Sequence, residues 1–139
     1  MNMNDVALAK INLAGHSIAL CKEGKILTSD GRGVSPMIDF LQDGIDLSGY
    51  SVADKIVGKA AAMLFVKAGI KEVYAEILSV SGKNFLEEHG INVGYETLAE
   101  KIINRTGDDI CPMEKTVADI IDPEEGYEAI RNKLKEMRK

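Results

Sequence analysis

Short apolar segments alternate with polar turns along the chain, and their periodicity predicts both helices and strands. Residues 5–13 carry apolar positions at helical spacing and end before Gly15, so we predict a first helix there. Two apolar runs follow, at residues 17–21 and 25–28, on either side of a turn that contains Gly24. Runs of this length around a glycine-containing turn are typical of a β-hairpin.

Two helices are predicted next. Ser35 precedes a proline, and a serine N-cap followed by proline is typical of a helix start, so we expect a helix from there to about Gln42. A second start is predicted at Ser51, where Asp54, three residues further on, would form a variant of the capping box. Apolar residues keep helical spacing from this start to Gly69, and we take the segment as the central helix of the fold.

The remaining chain is predicted to alternate between strands and helices. Residues 73–80 are mostly apolar, as in a strand buried on both faces of a sheet, and a helix over about 82–89 and a short strand near 91–95 follow. The last third is expected to be helical, with Pro112 and Pro123 each at a first helical position, behind Cys111 and Asp122 as caps. Connections this short imply parallel pairing. We therefore predict a three-layer α/β fold in which a mixed sheet, opened by the antiparallel hairpin, has helices on both faces.

The composition fits one soluble domain over residues 1–139, with 45% hydrophobic and 28% charged residues. Lys and Arg number 17 against 22 Asp and Glu, so the net charge is −5, and neither nucleic acid nor an anionic membrane is expected as a partner. The chain has no apolar run of bilayer length and no signal-peptide pattern at its start. Cys21 and Cys111 lie far apart, and we interpret them as reduced thiols of a cytoplasmic protein.

Three motifs carry a resemblance to a known family. They are Gly31-Arg32-Gly33, the long segment from Val52 to Ala62, and Cys111-Pro112-Met113-Glu114. Together they resemble the signatures of a bacterial family, domain of unknown function 1893, and the resemblance covers nearly the whole chain. It implies a cytidine-deaminase-like fold without implying an activity.

Zinc deaminases hold their metal with a His or Cys at the start of the central helix and with a Pro-Cys-x-x-Cys motif after the next strand. The possible registers of the first motif are Val52-Ala53-Asp54, Ile56-Val57-Gly58 and Val57-Gly58-Lys59, and none of them contains His or Cys. Only Asp54 could imitate the catalytic Glu of those enzymes. Ser79 and Ser81 stand where the second motif requires thiolates, and His16 and His89 lack ligand-like spacing. We therefore expect no metal, no cofactor and no deamination.

What remains is a predicted pocket at the edge of the sheet, where helix N-termini favour an anion. The Arg32 guanidinium could bind phosphate through two hydrogen bonds. We predict that the pocket binds a nucleotide or another phosphate-bearing small molecule. The residues expected to line it are Arg32, Asp54, Lys55, Lys59, Ser79, Ser81, Cys111 and Glu114.

Simpler interpretations stay open for several of these residues. Lys55 and Lys59 are four residues apart and could solvate one helix face, and Glu114 could reach back to cap the helix that begins behind Cys111. A metal-free enzyme that uses Asp54 as acid or base, or Cys111 as nucleophile, is a second possible function. A third is self-association through one apolar stripe of the last helix, unless the stripe covers the protein's own sheet, which is the simpler interpretation. The stripe consists of Tyr127, Ile130, Leu134 and Met137.

Overall fold

A computed structural model describes residues 4–104 and 106–138 as six helices around one five-stranded sheet. The helices are α1 (Asp5–Leu13), α2 (Ser35–Gln42), α3 (Lys59–Ala68), α4 (Val80–Glu88), α5 (Pro112–Val117) and α6 (Pro123–Met137). The strands are β1 (Ile18–Lys22), β2 (Lys25–Ser29), β3 (Ser51–Val57), β4 (Glu72–Ser79) and β5 (Asn92–Ala99). Their order across the sheet is β2-β1-β3-β4-β5.

The sheet is mixed, as the sequence predicts. β1 pairs antiparallel with β2 and β3, whereas β3, β4 and β5 run parallel to one another. The hairpin therefore forms one side of the sheet, and two strand–helix–strand units, β3-α3-β4 and β4-α4-β5, form the other. This arrangement brings the carboxyl ends of β3, β4 and β5 to the same edge of the sheet.

Helices cover both faces of the sheet, which confirms the three-layer α/β prediction. On one face α1 packs against β1 and β3, and its Ala9 and Leu13 are buried with Ala19 and Ala53. On the other face the large core surrounds α3, whose Phe65 is fully buried. The remaining helices pack around α3 on this side, with α6 and α4 in the most extensive contact with it.

The prediction of a helix start at Ser51 is wrong, because residues 51–57 form strand β3. Ser51 pairs with Cys21 on one side and with Glu72 on the other, so neighbouring strands fix its backbone. The helix begins only at Lys59, after Gly58 as N-cap, and ends at Gly69 in the left-handed conformation. Asp54 and Lys55 consequently lie in a strand and not in the first turn of the central helix.

Smaller differences concern element ends. The N-cap of α2 is Val34, so the prediction of Ser35 in that role is wrong, and Ser35 is the first helical residue instead. The segment after β5 is not helical as predicted: residues 100–104 and 106–111 run without regular structure except for an isolated bridge between Ile103 and Ile110. The predicted Asp122 cap of the last helix is confirmed, since the Asp122 side chain accepts a hydrogen bond from the Glu125 N–H.

The last helix buries the first half of its apolar stripe inside its own chain. Tyr127 and Ile130 are buried where α6 packs against α3, Leu134 is partly buried, and Met137 is 53% exposed. The stripe therefore covers the protein's own core, although by way of α3 rather than on the sheet itself. None of the helices in the described part of the chain is both long enough and apolar enough to cross a membrane.

Candidate functional site

A cleft of about 740 Å³ opens at the carboxyl end of β3, and we call it the β3 cleft. Its walls are the loop after β2, the start of α3, residues 102–104, 106 and 111–114, and the end of α6. Open α/β sheets bind ligands most often at the carboxyl ends of their strands. Much of the lining is aliphatic and includes Val34, Ile56, Ile102, Met113, Leu134 and Met137.

The start of α3, in the wall of this cleft, is capped by a carboxylate from a distant part of the chain. The Lys59 N–H donates to Oε1 of Glu114 over 2.8 Å, and the Ala60 N–H donates to Oε2 over 2.9 Å. Both oxygens of one side chain thus bind the first two N–H groups of the helix, where its dipole favours negative charge. Glu114 caps α3 and not its own helix, so the expectation that it reaches back within α5 is wrong.

Glycine at position 58 is a condition for this contact. A Cβ atom there would lie 2.3 Å from Oε1 of Glu114 and 2.5 Å from its Cδ, closer than non-bonded atoms approach. Gly58 has φ of −107°, so the glycine is needed for space rather than for an unusual backbone conformation. The sequence provides both partners, 56 positions apart.

The start of α4 has a different kind of cap. Ser79, the last residue of β4, is fully buried and its hydroxyl accepts a hydrogen bond from the Gly82 N–H over 2.9 Å. The same hydroxyl lies 3.2 Å from that of Ser81. A Cβ on Gly82 would lie only 3.0 Å from the carbonyl carbon of Gly58, so the two strand–helix junctions are in close contact.

Lys59 extends away from the β3 cleft into a smaller cavity of about 230 Å³, which we call the α4 groove. Ser81, Asn84 and Glu88 line the same groove. The Lys59 ammonium group donates to the carbonyl oxygen of Ala118 over 3.1 Å. The side chain therefore ties α3 to the end of α5 and is not directed at a ligand in the larger cleft.

Arg32 and Cys111 both line the β3 cleft. Arg32 is exposed, and within residues 4–104 and 106–138 it forms neither an ion pair nor a side-chain hydrogen bond. Cys111 is partly buried, and its backbone N–H donates to the carbonyl of Ile102, which holds the cleft wall together. Its thiol does not cap α5 through any atom that the structure describes.

Asp54 lies outside the cleft lining and is 9% exposed. Its carboxylate accepts a hydrogen bond from the Lys55 N–H over 2.8 Å. Burial raises the pKa of Asp54 to about 7, against the opposing effect of the backbone hydrogen bonds, and the charge of Glu76 raises this pKa further. Lys55 itself is exposed on β3.

Comparison with known families matches residues 7–134 to a domain of unknown function, DUF1893. The chain belongs to the DUF1893 family. A DUF1893 family protein from Thermotoga maritima, solved by crystallography, is similar to the chain at 26% identity and a TM-score of 0.83, over 96% of this chain and 92% of that one. The family resemblance carried by the three sequence motifs is therefore confirmed. Among curated proteins, none matches the chain.

Two solved deaminases are more distant from this DUF1893 chain. A diaminohydroxyphosphoribosylaminopyrimidine deaminase/reductase from Thermotoga maritima has 18% identity and a TM-score of 0.49, over 66% of this chain and 35% of that one. The dCMP deaminase of cyanophage S-TIM5 has 15% identity and a TM-score of 0.45, over 66% of this chain and 93% of that one. We transfer no residue or activity from either enzyme.

The residues of this DUF1893 chain do not fit a catalytic zinc ion at the two strand–helix junctions. Gly58 and Lys59 begin α3, and Ser79 and Ser81 begin α4, so neither junction offers a thiolate or an imidazole. Gly82 packs directly on Gly58 where the two junctions meet, and the Glu114 carboxylate occupies the start of α3. Within the described residues, no three His, Cys, Asp or Glu side chains lie close enough to hold a metal.

The structure thus divides the eight predicted site residues. Arg32, Cys111 and Glu114 meet at the β3 cleft, and Lys59 and Ser81 meet at the α4 groove. Asp54 and Ser79 are buried, and Lys55 is exposed.

Gly58 and the aliphatic lining are not among the site residues that the sequence predicts. One local signal was available: Gly58 follows the β-branched pair Ile56-Val57, which is typical of the end of a strand.

Proposed function

We propose that this DUF1893 protein is a ligand-binding, regulatory module whose β3 cleft binds a nucleotide or a related phosphate-bearing small molecule. The anionic group of the ligand contacts Arg32 at the mouth, and its uncharged body lies on the aliphatic lining. The negative net charge favours a small ligand over a nucleic acid or an anionic membrane, neither of which we propose as a partner.

The observation that carries this proposal is the size and lining of the cleft. Its volume of about 740 Å³ lies inside the range of roughly 300–1,000 Å³ common to small-molecule sites. Such sites combine a mostly apolar lining with a few polar groups that fix the orientation of the ligand. Here Arg32, Asp30 and Thr106 lie among the aliphatic side chains.

Charge within the lining favours Arg32 as the anion contact. The Glu114 carboxylate is bound to the start of α3, and Asp30 is hydrogen-bonded to the His16 ring over 2.7 Å. Arg32 has no such partner in the part of the chain that the structure describes. An exposed guanidinium in the lining of an apolar cleft suits a phosphate or carboxylate because it can donate two parallel hydrogen bonds.

The test is native mass spectrometry followed by titration calorimetry with a panel of nucleoside mono-, di- and triphosphates. We expect one ligand class to bind wild type, and Arg32→Ala to weaken that binding roughly tenfold or more, as for loss of a charge-assisted contact. Lys25→Ala removes an exposed lysine from β2 and is the matched control. Ala61→Phe, which places a large side chain in the cleft lining, should abolish binding. Absence of binding across the whole panel would refute the proposal.

The alternative function, a metal-free enzyme, is supported by a single observation: Cys111 lies in the lining of the β3 cleft. An acid–base role of Asp54 has no comparable support, since this carboxyl group lies outside the lining. If Cys111 is a nucleophile, iodoacetamide must label it in the folded protein faster than it labels an unfolded control peptide. Labelling no faster than that of the peptide would remove this alternative, whereas ligand protection of Cys111 would support the cleft as the binding site.

A further inference from the structure

At the start of α3, Glu114 occupies a position of the β3 cleft where backbone N–H groups would otherwise bind an anion. The first N–H groups of a helix lack partners inside the helix and attract negative charge. At the start of α3 the N–H groups of Lys59 and Ala60 are bound at 2.8 and 2.9 Å by the two oxygens of Glu114. The carboxylate of the protein thus stands where the anionic group of a ligand could bind.

Two further features hold the carboxylate in this place. Gly58 leaves the space that it fills, since any Cβ would lie within 2.3–2.7 Å of its three terminal atoms. Lys59 donates to the carbonyl of Ala118, four residues after Glu114, and so fixes the end of α5 against α3. The Glu114 carboxylate is therefore held by two backbone hydrogen bonds, by the space at Gly58 and by the link between Lys59 and Ala118.

We propose that Glu114 is a specificity-determining residue of the cleft: it occupies the anion position at the start of α3 and confines the anionic group of a ligand to Arg32. The inference rests on the proposed function for the existence of the ligand, and it names the ligand's class. The ligand has a single anionic end, and its other end, next to Glu114, is uncharged or carries hydrogen-bond donors. Ligands with anionic groups at both ends are repelled by the carboxylate.

Inorganic phosphate is the probe, because it tests the anion position without any knowledge of the natural ligand. The amide resonances of Lys59 and Ala60 are followed by two-dimensional NMR while phosphate is added at constant ionic strength and pH. In wild type these two resonances should not shift with phosphate. In Glu114→Gln and Glu114→Ala they should shift and saturate. The apparent affinity for phosphate should be at least about tenfold higher than the upper limit that the wild-type titration sets.

Glu125→Gln is the matched control, since Glu125 is an exposed carboxylate in the first turn of α6 and its side chain is not bound to helix N–H groups within the described chain. Glu114→Gln keeps the length of the side chain, so it tests the charge even if Glu114→Ala does not fold. Saturable phosphate shifts at Lys59 in wild type would overturn the proposal, and so would their absence in a folded Glu114→Gln. Neither result depends on the nucleotide panel, so failure of this inference and failure of the proposed function are distinguishable.

Discussion

Two neighbouring strand–helix units of this protein, β3-α3 and β4-α4, begin their helices in contrasting ways. In β4-α4 the residue that ends the strand, Ser79, also caps the helix, through the N–H of Gly82 three positions later. In β3-α3 the residue before the helix is Gly58, which has no side chain, and the cap is Glu114 from another helix. One unit is complete in itself, and the other depends on the C-terminal third of the chain.

The contrast shows that a helix-capping contact can also serve to hold a binding cleft in shape. A local serine cap stabilises its helix but connects nothing else. The Glu114 cap joins α3 to α5 and fixes one wall of the β3 cleft. Mutations that remove equivalent hydrogen bonds in the two units should therefore differ in how far they lower the free energy of unfolding. They should also differ in how many helices they affect.

The largest effect is expected for Gly58→Ala. The new methyl group must displace the Glu114 carboxylate, and with it both hydrogen bonds to the helix, so we expect the free energy of unfolding to fall by about 3 kcal/mol. Urea denaturation measures this change. Gly94→Ala is the control, because a Cβ at that exposed position of β5 meets no atom closer than 4.0 Å.

Glu114→Ala should cost somewhat less, about 2 kcal/mol, since water can reach the partly buried N–H groups that it leaves behind. The decisive measurement is the double variant with Gly58→Ala. Because both changes remove the same contact, the cost of the pair should be well below the sum of the two single costs. Additive costs would contradict the contact between Gly58 and Glu114.

The pH dependence also differs between the two units, because the β3 unit contains Asp54 and β4 ends in the neutral Ser79. The pKa of Asp54 is raised by burial to about 7, from 3.8 for an exposed carboxyl. A raised pKa in the folded state adds stability below pH 4, and this contribution is lost as the pH rises towards 7. We therefore expect the free energy of unfolding to fall steadily as the pH rises from 4 to 7.

Asp54→Asn should remove this fall in the free energy of unfolding between pH 4 and 7, whereas Asp39→Asn, on the exposed part of α2, should leave it unchanged. Urea titrations at several pH values compare the three proteins. Parallel pH profiles for wild type and Asp54→Asn would show that another group titrates.

The smallest effect is expected for Ser79→Ala, which removes the local cap of α4 at a cost of about 1 kcal/mol. Hydrogen exchange should show faster opening at the start of α4 and no change at α5. Glu114→Ala, by comparison, should accelerate exchange in both α3 and α5. If each variant accelerated hydrogen exchange only in the helix that has lost its cap, the two caps would not differ in the number of helices they stabilise.

Those parts of the fold that depend on neighbours in sequence could be predicted from the sequence. The hairpin, the first helix and the Asp122 cap were found because a turn glycine, an apolar repeat and a capping side chain lie within a few residues of the element they define. β3 was not found. Its Ser51 and Asp54 imitate a capping pattern, and only pairing with β1 and β4 makes the segment a strand.

The candidate site shows the same division. Arg32 and Cys111 entered through motifs of the family resemblance, and both lie in the β3 cleft. Helical spacing groups Lys55 with Lys59 in the sequence. In the structure Lys55 lies in strand β3 and Lys59 begins helix α3, so the two do not share a helix face. The pairing of Gly58 with Glu114 had no local signal, since no periodicity connects positions so far apart in the chain.

The distance along the chain between α3 and its cap also has a consequence for the order of folding. Lys59 and Glu114 are 55 residues apart, and all five strands lie before Glu114. During synthesis from the N-terminus, the sheet can assemble while α3 still lacks its cap. We therefore expect the Glu114 contact to form after the rate-limiting step, so that losing it speeds unfolding and leaves the folding rate nearly unchanged. The C-terminal third then governs how long the native state lasts rather than how quickly it is reached.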